Sequence, residues 1–239
     1  MSSAVLANGG AAKSVTATSA SKRGKFGSLT TSSVAPITLC VVGSGGVGKS
    51  CVTLRYLKDE FVEYYDPTVE ESYFKEVEYG SQVFDVEIVD TAGQDEFSAF
   101  RNTALSHGDA FLVLFAINSP FSWQEVKRLR EQILREHEDE DELPMVIVGN
   151  KKDLESTRSI PFDEIVTYCR SIHCPFIETS AKTGLNITEA FQLLMEQIKL
   201  VNPDLLEHQL KLLSLRHQAA NQGVATTKNG SQQQKCIVS

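Results

Sequence analysis

Residues 43–50 read Gly-Ser-Gly-Gly-Val-Gly-Lys-Ser, and their flanks leave few folds open to the chain. An apolar run, Ile37-Thr-Leu-Cys-Val-Val42, enters the octet, and Cys51-Val-Thr-Leu-Arg-Tyr-Leu57 leaves it with helical spacing. A strand, a glycine turn and a helix N-terminus in that order aim backbone N–H groups and a positive dipole end at one anion. The spacing G-x-x-x-x-G-K-S in that setting is a phosphate-binding loop. Gly43, Ser44, Gly45, Gly46, Val47, Gly48 and Cys51 form the cradle. Lys49 can reach the outer phosphates of a nucleoside triphosphate, and the Ser50 hydroxyl can ligate Mg²⁺.

The chain has 239 residues, 41% of them apolar, which is enough for a core. Its net charge of −8 is unevenly spread. Residues 1–36 hold four cations and no acid, and residues 215–239 hold three cations and no acid, so the body between them is strongly acidic. That argues against nucleic acid as the main ligand. The five cysteines, Cys40, Cys51, Cys169, Cys174 and Cys236, show no zinc-type spacing, and reduced thiols in a cytosolic protein account for them. At a helix N-terminus beside Lys49, Cys51 has two readings: a thiol of lowered pKa that senses redox state, or a small residue packed beside the phosphate seat.

Residues 1–35 are rich in Ala, Ser, Thr and Gly without a hydrophobic period and read as a disordered extension. Their single Arg and missing amphipathic stripe fit a solvated arm better than an organelle transit peptide. From residue 36 strands and helices alternate. Strands are predicted at 37–42, 71–79, 82–90, 109–117, 144–149 and 174–178, and helices at 49–59, 121–137, 161–172 and 186–200. Glu71–Tyr79, a Gly80-Ser81 turn and Gln82–Val89 read as an antiparallel hairpin. The other strands alternate with helices, which calls for parallel crossovers. The expected fold is α/β: a phosphate-loop nucleotide-binding domain over 36–200, with a doubly wound, mostly parallel six-stranded sheet and one antiparallel edge strand. The acidic run Glu136–Glu142 reads as a solvated helix end.

Asn150-Lys-Lys-Asp153 lies at the end of an apolar strand. Asp153 can accept hydrogen bonds from guanine N1–H and its 2-amino group, which adenine cannot reciprocate. The Lys151 stem can lie along the base, and Asn150 can tie this turn to the phosphate loop at Gly46 or Val47. In Thr179-Ser-Ala-Lys182, after the last strand, the Ala181 N–H can donate to guanine O6, flanked by Ser180 and Lys182. Between these stand Asp90-Thr-Ala-Gly-Gln94 and Tyr65-Asp-Pro-Thr68. Asp90 can hold Mg²⁺ through a water, Gly93 N–H can meet a γ-phosphate, Gln94 can orient an attacking water, and Thr68 offers a second hydroxyl to the metal.

Those five motifs, in order over residues 36–200, resemble the Ras family of small GTPases. Phe61-Val-Glu-Tyr-Tyr-Asp-Pro-Thr-Val-Glu-Glu-Ser-Tyr73 is similar to the Ras and Rap effector region, and Asp90 to Arg101 to the second switch of Ras proper. Rap relatives usually carry Thr where Gln94 stands, which favours Ras. The resemblance implies a switch held on by GTP and turned off by hydrolysis, with Lys49, Thr68, Gly93 and Gln94 as the catalytic set. It implies that Phe61 packs against the guanine and Tyr65 closes over the phosphates. It makes Tyr65, Asp66, Pro67, Thr68, Val69, Glu70, Glu71, Ser72 and Tyr73 the effector segment. It further implies an exchange factor, effectors with Ras-binding-type domains, and an activating protein whose arginine fits past Gly45. Two other classes compete: a phosphate-loop ATPase or nucleotide kinase, against which Asp153 and Ala181 stand, and a non-hydrolysing scaffold, against which Gln94 stands.

Beyond 200, Asn202-Pro-Asp opens a short Leu-rich helical stretch at 205–215, followed by a Gln-, Asn- and Ser-rich tail. The stretch can lie on a membrane or pack against the domain. The chain ends Cys236-Ile-Val-Ser239, a C-a-a-X box whose final Ser predicts farnesylation of Cys236. One lipid chain gives marginal anchoring, and the tail has no second Cys and few cations. The expectation is a monomer on the cytoplasmic face of a membrane, the plasma membrane foremost, held by a labile anchor.

Overall fold

The computed structural model describes residues 35–62, 70–93, 98–138 and 142–228. Six strands form one sheet: β1 (Ile37–Gly43), β2 (Glu70–Tyr79), β3 (Gln82–Thr91), β4 (Ala110–Ala116), β5 (Met145–Asn150) and β6 (Phe176–Glu178). Their order is β2-β3-β1-β4-β5-β6. All neighbours are parallel except β2, which pairs antiparallel with β3 as the edge strand of the expected hairpin. β4 reads Ala-Phe-Leu-Val-Leu-Phe-Ala and every residue in it is buried, as a strand covered on both faces requires.

Helices cover both faces: α1 (Lys49–Lys58), α2 (Ser98–His107), α3 (Pro120–Glu136), α4 (Phe162–Ser171), α5 (Ile187–Val201) and α6 (Pro203–Lys228). The period of two along β1 sorts the core. Ile37, Leu39 and Val41 meet Val52 of α1 and Phe191, Leu194 and Ile198 of α5. Cys40 and Val42 face the other layer, with Trp123, Val126 and Ile133 of α3 and Ile165 of α4. Tyr56 stacks on Phe191 with ring centroids 3.8 Å apart, joining α1 to α5. α3 starts where Ser119 accepts from the Ser122 N–H and Pro120 fills the first helical position.

Four local readings differ from expectation. Helix α2 was not predicted, because its sequence, Ser-Ala-Phe-Arg-Asn-Thr-Ala-Leu-Ser-His, gives no sustained apolar stripe. A 3₁₀ helix at Lys152–Thr157 has no buried residue and so no pattern to find. β6 begins at Phe176 rather than at 174. The Cys174 N–H turns back to the Cys169 carbonyl at 3.0 Å, and Pro175 has no N–H to give a ladder. α6 runs to residue 228 instead of ending near 215, since Arg-His-Gln-Ala-Ala-Asn-Gln after Leu215 sustains a helix without an apolar face.

α6 starts as Asn202 predicts, its side-chain oxygen accepting from the Leu205 N–H at 3.3 Å. Leu206 and Gln209 are buried, and Leu205 and Leu210 pack against the same core layer, so the helix lies on the domain through one face. The Gln209 amide donates to the Asp85 carbonyl at 2.8 Å and to the Ala35 carbonyl at 3.2 Å. Among the described residues, no helix is long and apolar enough to cross a membrane.

Candidate functional site: a phosphate loop bridged to a base-reading turn

The phosphate loop lies between the end of β1 and the first turn of α1, as the flanking pattern dictates. Gly48 turns the chain into α1 at φ 94°, a left-handed conformation that suits glycine. A Cβ there would also stand 2.6 Å from the Asn150 side-chain nitrogen. Lys49 is buried, and its Nζ donates to the carbonyls of Gly43 and Ser44, both at 3.0 Å, closing the loop on itself. The end of β3 reaches the same place. Thr91 Oγ1 donates to the Val41 carbonyl at 2.9 Å, and a Cβ on Gly93 would fall 2.7 Å from the Gly45 Cα. Gly93 therefore lies bare against the loop, at the position assigned to the γ-phosphate contact.

Asp90, next to the last residue of this strand, is fully buried. Burial, only partly offset by the Ser50 hydroxyl and by the charge of Lys49, pushes its carboxyl up to about 6. Neither carboxylate oxygen makes a hydrogen bond of good geometry. A hard, oxygen-seeking cation beside Ser50 and Asp90 answers that deficit, so these residues fit Mg²⁺. Held there, Mg²⁺ would neutralise charge on the phosphate oxygens.

Asn150, at the tip of β5 and buried, joins the two ends of the site. Its amide nitrogen donates to the Val47 carbonyl at 2.9 Å, the second of the two partners expected. Its oxygen accepts from the Thr179 hydroxyl and from the Ala181 N–H, each at 3.2 Å. The Ala181 N–H assigned to guanine O6 is thus bonded to Asn150 here. Asp153 Oδ1 accepts from the Ser180 hydroxyl at 2.5 Å, which aims one carboxylate edge. Lys151 holds φ 69°, a strained conformation for a side-chain-bearing residue at a site that must present its neighbours outward. Behind the turn, Glu178 takes Lys152 and Arg158, both at 2.7 Å.

Of the two readings open for Cys51, the structure favours the small packed residue. Burial, and then the charge of Asp90, raise its pKa; the charge of Lys151 opposes them and loses. Its thiol is half-buried and donates to the Val62 carbonyl at 3.5 Å, so the helix N-terminus does not make it a reactive thiolate. Phe61 is 38% exposed. Glu70, Glu71 and Ser72 are exposed on β2, and Tyr73 packs inward while its hydroxyl bonds Glu71. Tyr65, Asp66, Pro67, Thr68, Val69, Gln94 and Cys236 lie outside the described residues, as does the segment 1–34. The sequence reading missed Thr91, which fastens β3 to β1, and Arg55, whose guanidinium bonds the 181–182 turn. Arg55 and Ala181 stand 126 residues apart, so no local signal marks the pair.

A phosphate loop bridged by one asparagine to a carboxylate-bearing turn, on a sheet of this order, defines a phosphate-loop nucleotide-binding domain. Residues 38–200 match the model of the Ras family, and the chain belongs to that family of small GTPases. It is in general terms a guanine-nucleotide-dependent switch with GTPase activity.

Proposed function

We propose that the chain is a Ras-type rather than Rap-type switch, hydrolysing GTP slowly unless an activating protein assists. The choice of Ras over Rap rests on Gln94 in the sequence; the observation that supports the guanine-nucleotide reading is the Asn150 bridge, in which one buried side chain holds the phosphate loop at Val47 and the base-reading turn at Ala181. Both ends of a guanine nucleotide then meet one rigid unit, and Asp153, an exposed carboxylate whose one edge Ser180 holds, favours guanine because the N1–H and 2-amino group can pair it and adenine offers neither. Lys49, Ser50, Gly93 and Asp90 act at the phosphate end. Thr68 and Gln94 are assigned from their motifs: Thr68 to the metal and the γ-phosphate, Gln94 to the attacking water.

In this reading GTP orders the segment before β2 and the segment after β3, and effectors with Ras-binding-type domains read the result at Glu70, Glu71 and Ser72. β2 supports it as an open sheet edge whose backbone groups can pair with a partner strand. An exchange factor reloads the switch. Gly45 gives an activating protein's arginine room, and such assistance is worth ~10³–10⁵-fold. Farnesylated Cys236 gives labile attachment to the cytoplasmic face of a membrane, the plasma membrane foremost.

Single-turnover hydrolysis tests the reading. The purified chain should release labelled GDP to excess GTP but not to excess ATP, and Gln94→Leu should slow intrinsic and assisted hydrolysis together. A Gln94→Leu protein that turns over GTP at the parent rate refutes the assigned role. Recovery of the lipidated protein with membranes after a high-salt wash would refute the labile anchor.

A further inference from the structure

The 179–182 turn is held from two sides, and only one of them is the Asn150 bridge. Arg55 on α1 donates from Nε to the Ala181 carbonyl at 2.9 Å and from Nη2 to the Lys182 carbonyl at 2.9 Å. Its Nη1 is steadied by the Asp59 carbonyl at 2.8 Å and by Asp59 Oδ1 at 3.1 Å. Four donor contacts of a planar guanidinium fix its orientation, and the side chain is only 16% exposed. Asp59 helps mainly through its backbone, because its own side chain is 93% exposed and a carboxylate there is screened by water. Both backbone groups of Ala181 are therefore occupied: the N–H by Asn150 and the carbonyl by Arg55.

Arg55 shares its helix with Lys49 and Ser50, which close the phosphate end. A helix is stiff over so short a span, the rise from Ser50 to Arg55 being only about 7 Å. A guanidinium fastened to the base turn thus makes phosphate grip and base grip parts of one body, by a path that does not pass through β5. We propose that Arg55 is a positioning residue that sets how long guanine nucleotide stays bound, by clamping the Ala181–Lys182 backbone to α1. Without it the turn keeps Asn150 and the Ser180–Asp153 bond but loses its outer fastening, and the base end opens while the phosphate end still holds. The inference rests on the guanine-binding reading and adds a determinant of nucleotide release to it.

The test is release of fluorescent GDP from the full-length chain, in Mg²⁺ and again in EDTA, for the parent, Arg55→Ala, Arg55→Lys and the exposed control Lys58→Ala. Arg55→Ala should release GDP about tenfold faster in Mg²⁺, the worth of one charge-assisted hydrogen bond. The factor by which EDTA accelerates release should stay at the parent's value, because the phosphate end is intact. Arg55→Lys keeps the charge but not the fork and should recover only part of the loss. Lys58→Ala should match the parent. Parent-like release from Arg55→Ala overturns the proposal, and so does faster release with a collapsed EDTA factor, which would mark general destabilisation. If Arg55→Ala cannot be recovered folded, Arg55→Lys decides: a rate equal to the parent's overturns the clamp. A parent chain that retains no GDP overturns the guanine reading itself, and this inference with it.

Discussion

Replacing Asp90 with Asn should stabilise the metal-free protein, although it removes a metal ligand. Asp90 is buried with neither oxygen well bonded, and it holds its proton to about 6 against an ordinary value of 3.8. Between those values the folded chain carries a proton that the unfolded chain has shed. Stability therefore falls as pH rises through that window, and the deficit is complete above about pH 6. At about 1.4 kcal/mol per pH unit of separation, holding Asp90 ionised at neutral pH costs about 3 kcal/mol. Asn is nearly the same size and uncharged, but its amide also lacks ready partners, so the gain should be about 1–3 kcal/mol.

Thermal unfolding in EDTA reads this directly. At pH 7.5 Asp90→Asn should melt higher than the parent by roughly 3–10 °C, and by pH 4.5 the gap should close. Comparing the two proteins at each pH isolates Asp90 from the other carboxylates. With Mg²⁺ and GDP the order should reverse, since a ligand at 100 times its Kd adds about 2.7 kcal/mol to the protein that binds it. An Asp90→Asn protein that melts below the parent in EDTA at pH 7.5, or whose advantage ignores pH, would refute the reasoning.

Gly48→Ala places a Cβ in a left-handed conformation and 2.6 Å from the Asn150 amide, so it should cost about 1–3 kcal/mol and speed GDP release. Unchanged urea unfolding and release would count against it. The Cys51 thiol, raised by burial, should react with iodoacetamide at pH 7 more slowly than free glutathione, as peptide mass spectrometry can show; faster labelling would restore the redox-sensor reading. Gln209→Ala removes the two bonds that fasten α6 to Asp85 and Ala35 and should weaken that docking by about 1–3 kcal/mol. Hydrogen exchange over 203–216 would then quicken while β4 stays protected, and uniform quickening would mean that α6 and the domain unfold as one.

What was legible in the sequence was what is local. β1, β4 and β5 announce themselves as continuous apolar runs because both their faces are covered, and the octet at 43–50 carries its own geometry in its glycines. Asn150 and Asp153 were readable only in company: polar residues after a strand are usually just a turn, and it was the phosphate loop before them and Thr179–Lys182 after them that gave the tetrapeptide its meaning. Helix α2 was not readable: its sequence, Ser98 to His107, gives no sustained apolar period, and among its described side chains the buried apolar ones are Ala104 and Leu105. The face of α6 was hidden for the opposite reason, since Leu residues cover most of its circumference and only packing shows that Leu206 and Gln209 turn inward. Cys51 stayed open between two readings because chain neighbours reveal a nearby Lys and a helix N-terminus but not desolvation, which here raises its pKa and favours the packed residue. Arg55 was invisible because its partners are defined by the fold alone.

The two ends of the site are built to different rules. At the base end, Asn150, Ser180 and Arg55 bond Asp153 and the 181–182 backbone through the protein itself. None of these contacts is made by a group assigned to the γ-phosphate. At the phosphate end, Lys49 is bonded to the loop's own carbonyls, Asp90 is an uncompensated buried carboxylate, and Gly93 rests as bare backbone against Gly45. Each of these is a group whose environment a γ-phosphate and its metal would change. A ligand shifts a conformational equilibrium only by the difference in its contacts to the two states. Among the described residues, the place where a γ-phosphate would tell GTP from GDP is therefore the end of β3 against the phosphate loop, and the proposed Arg55 clamp at the other end would hold either nucleotide.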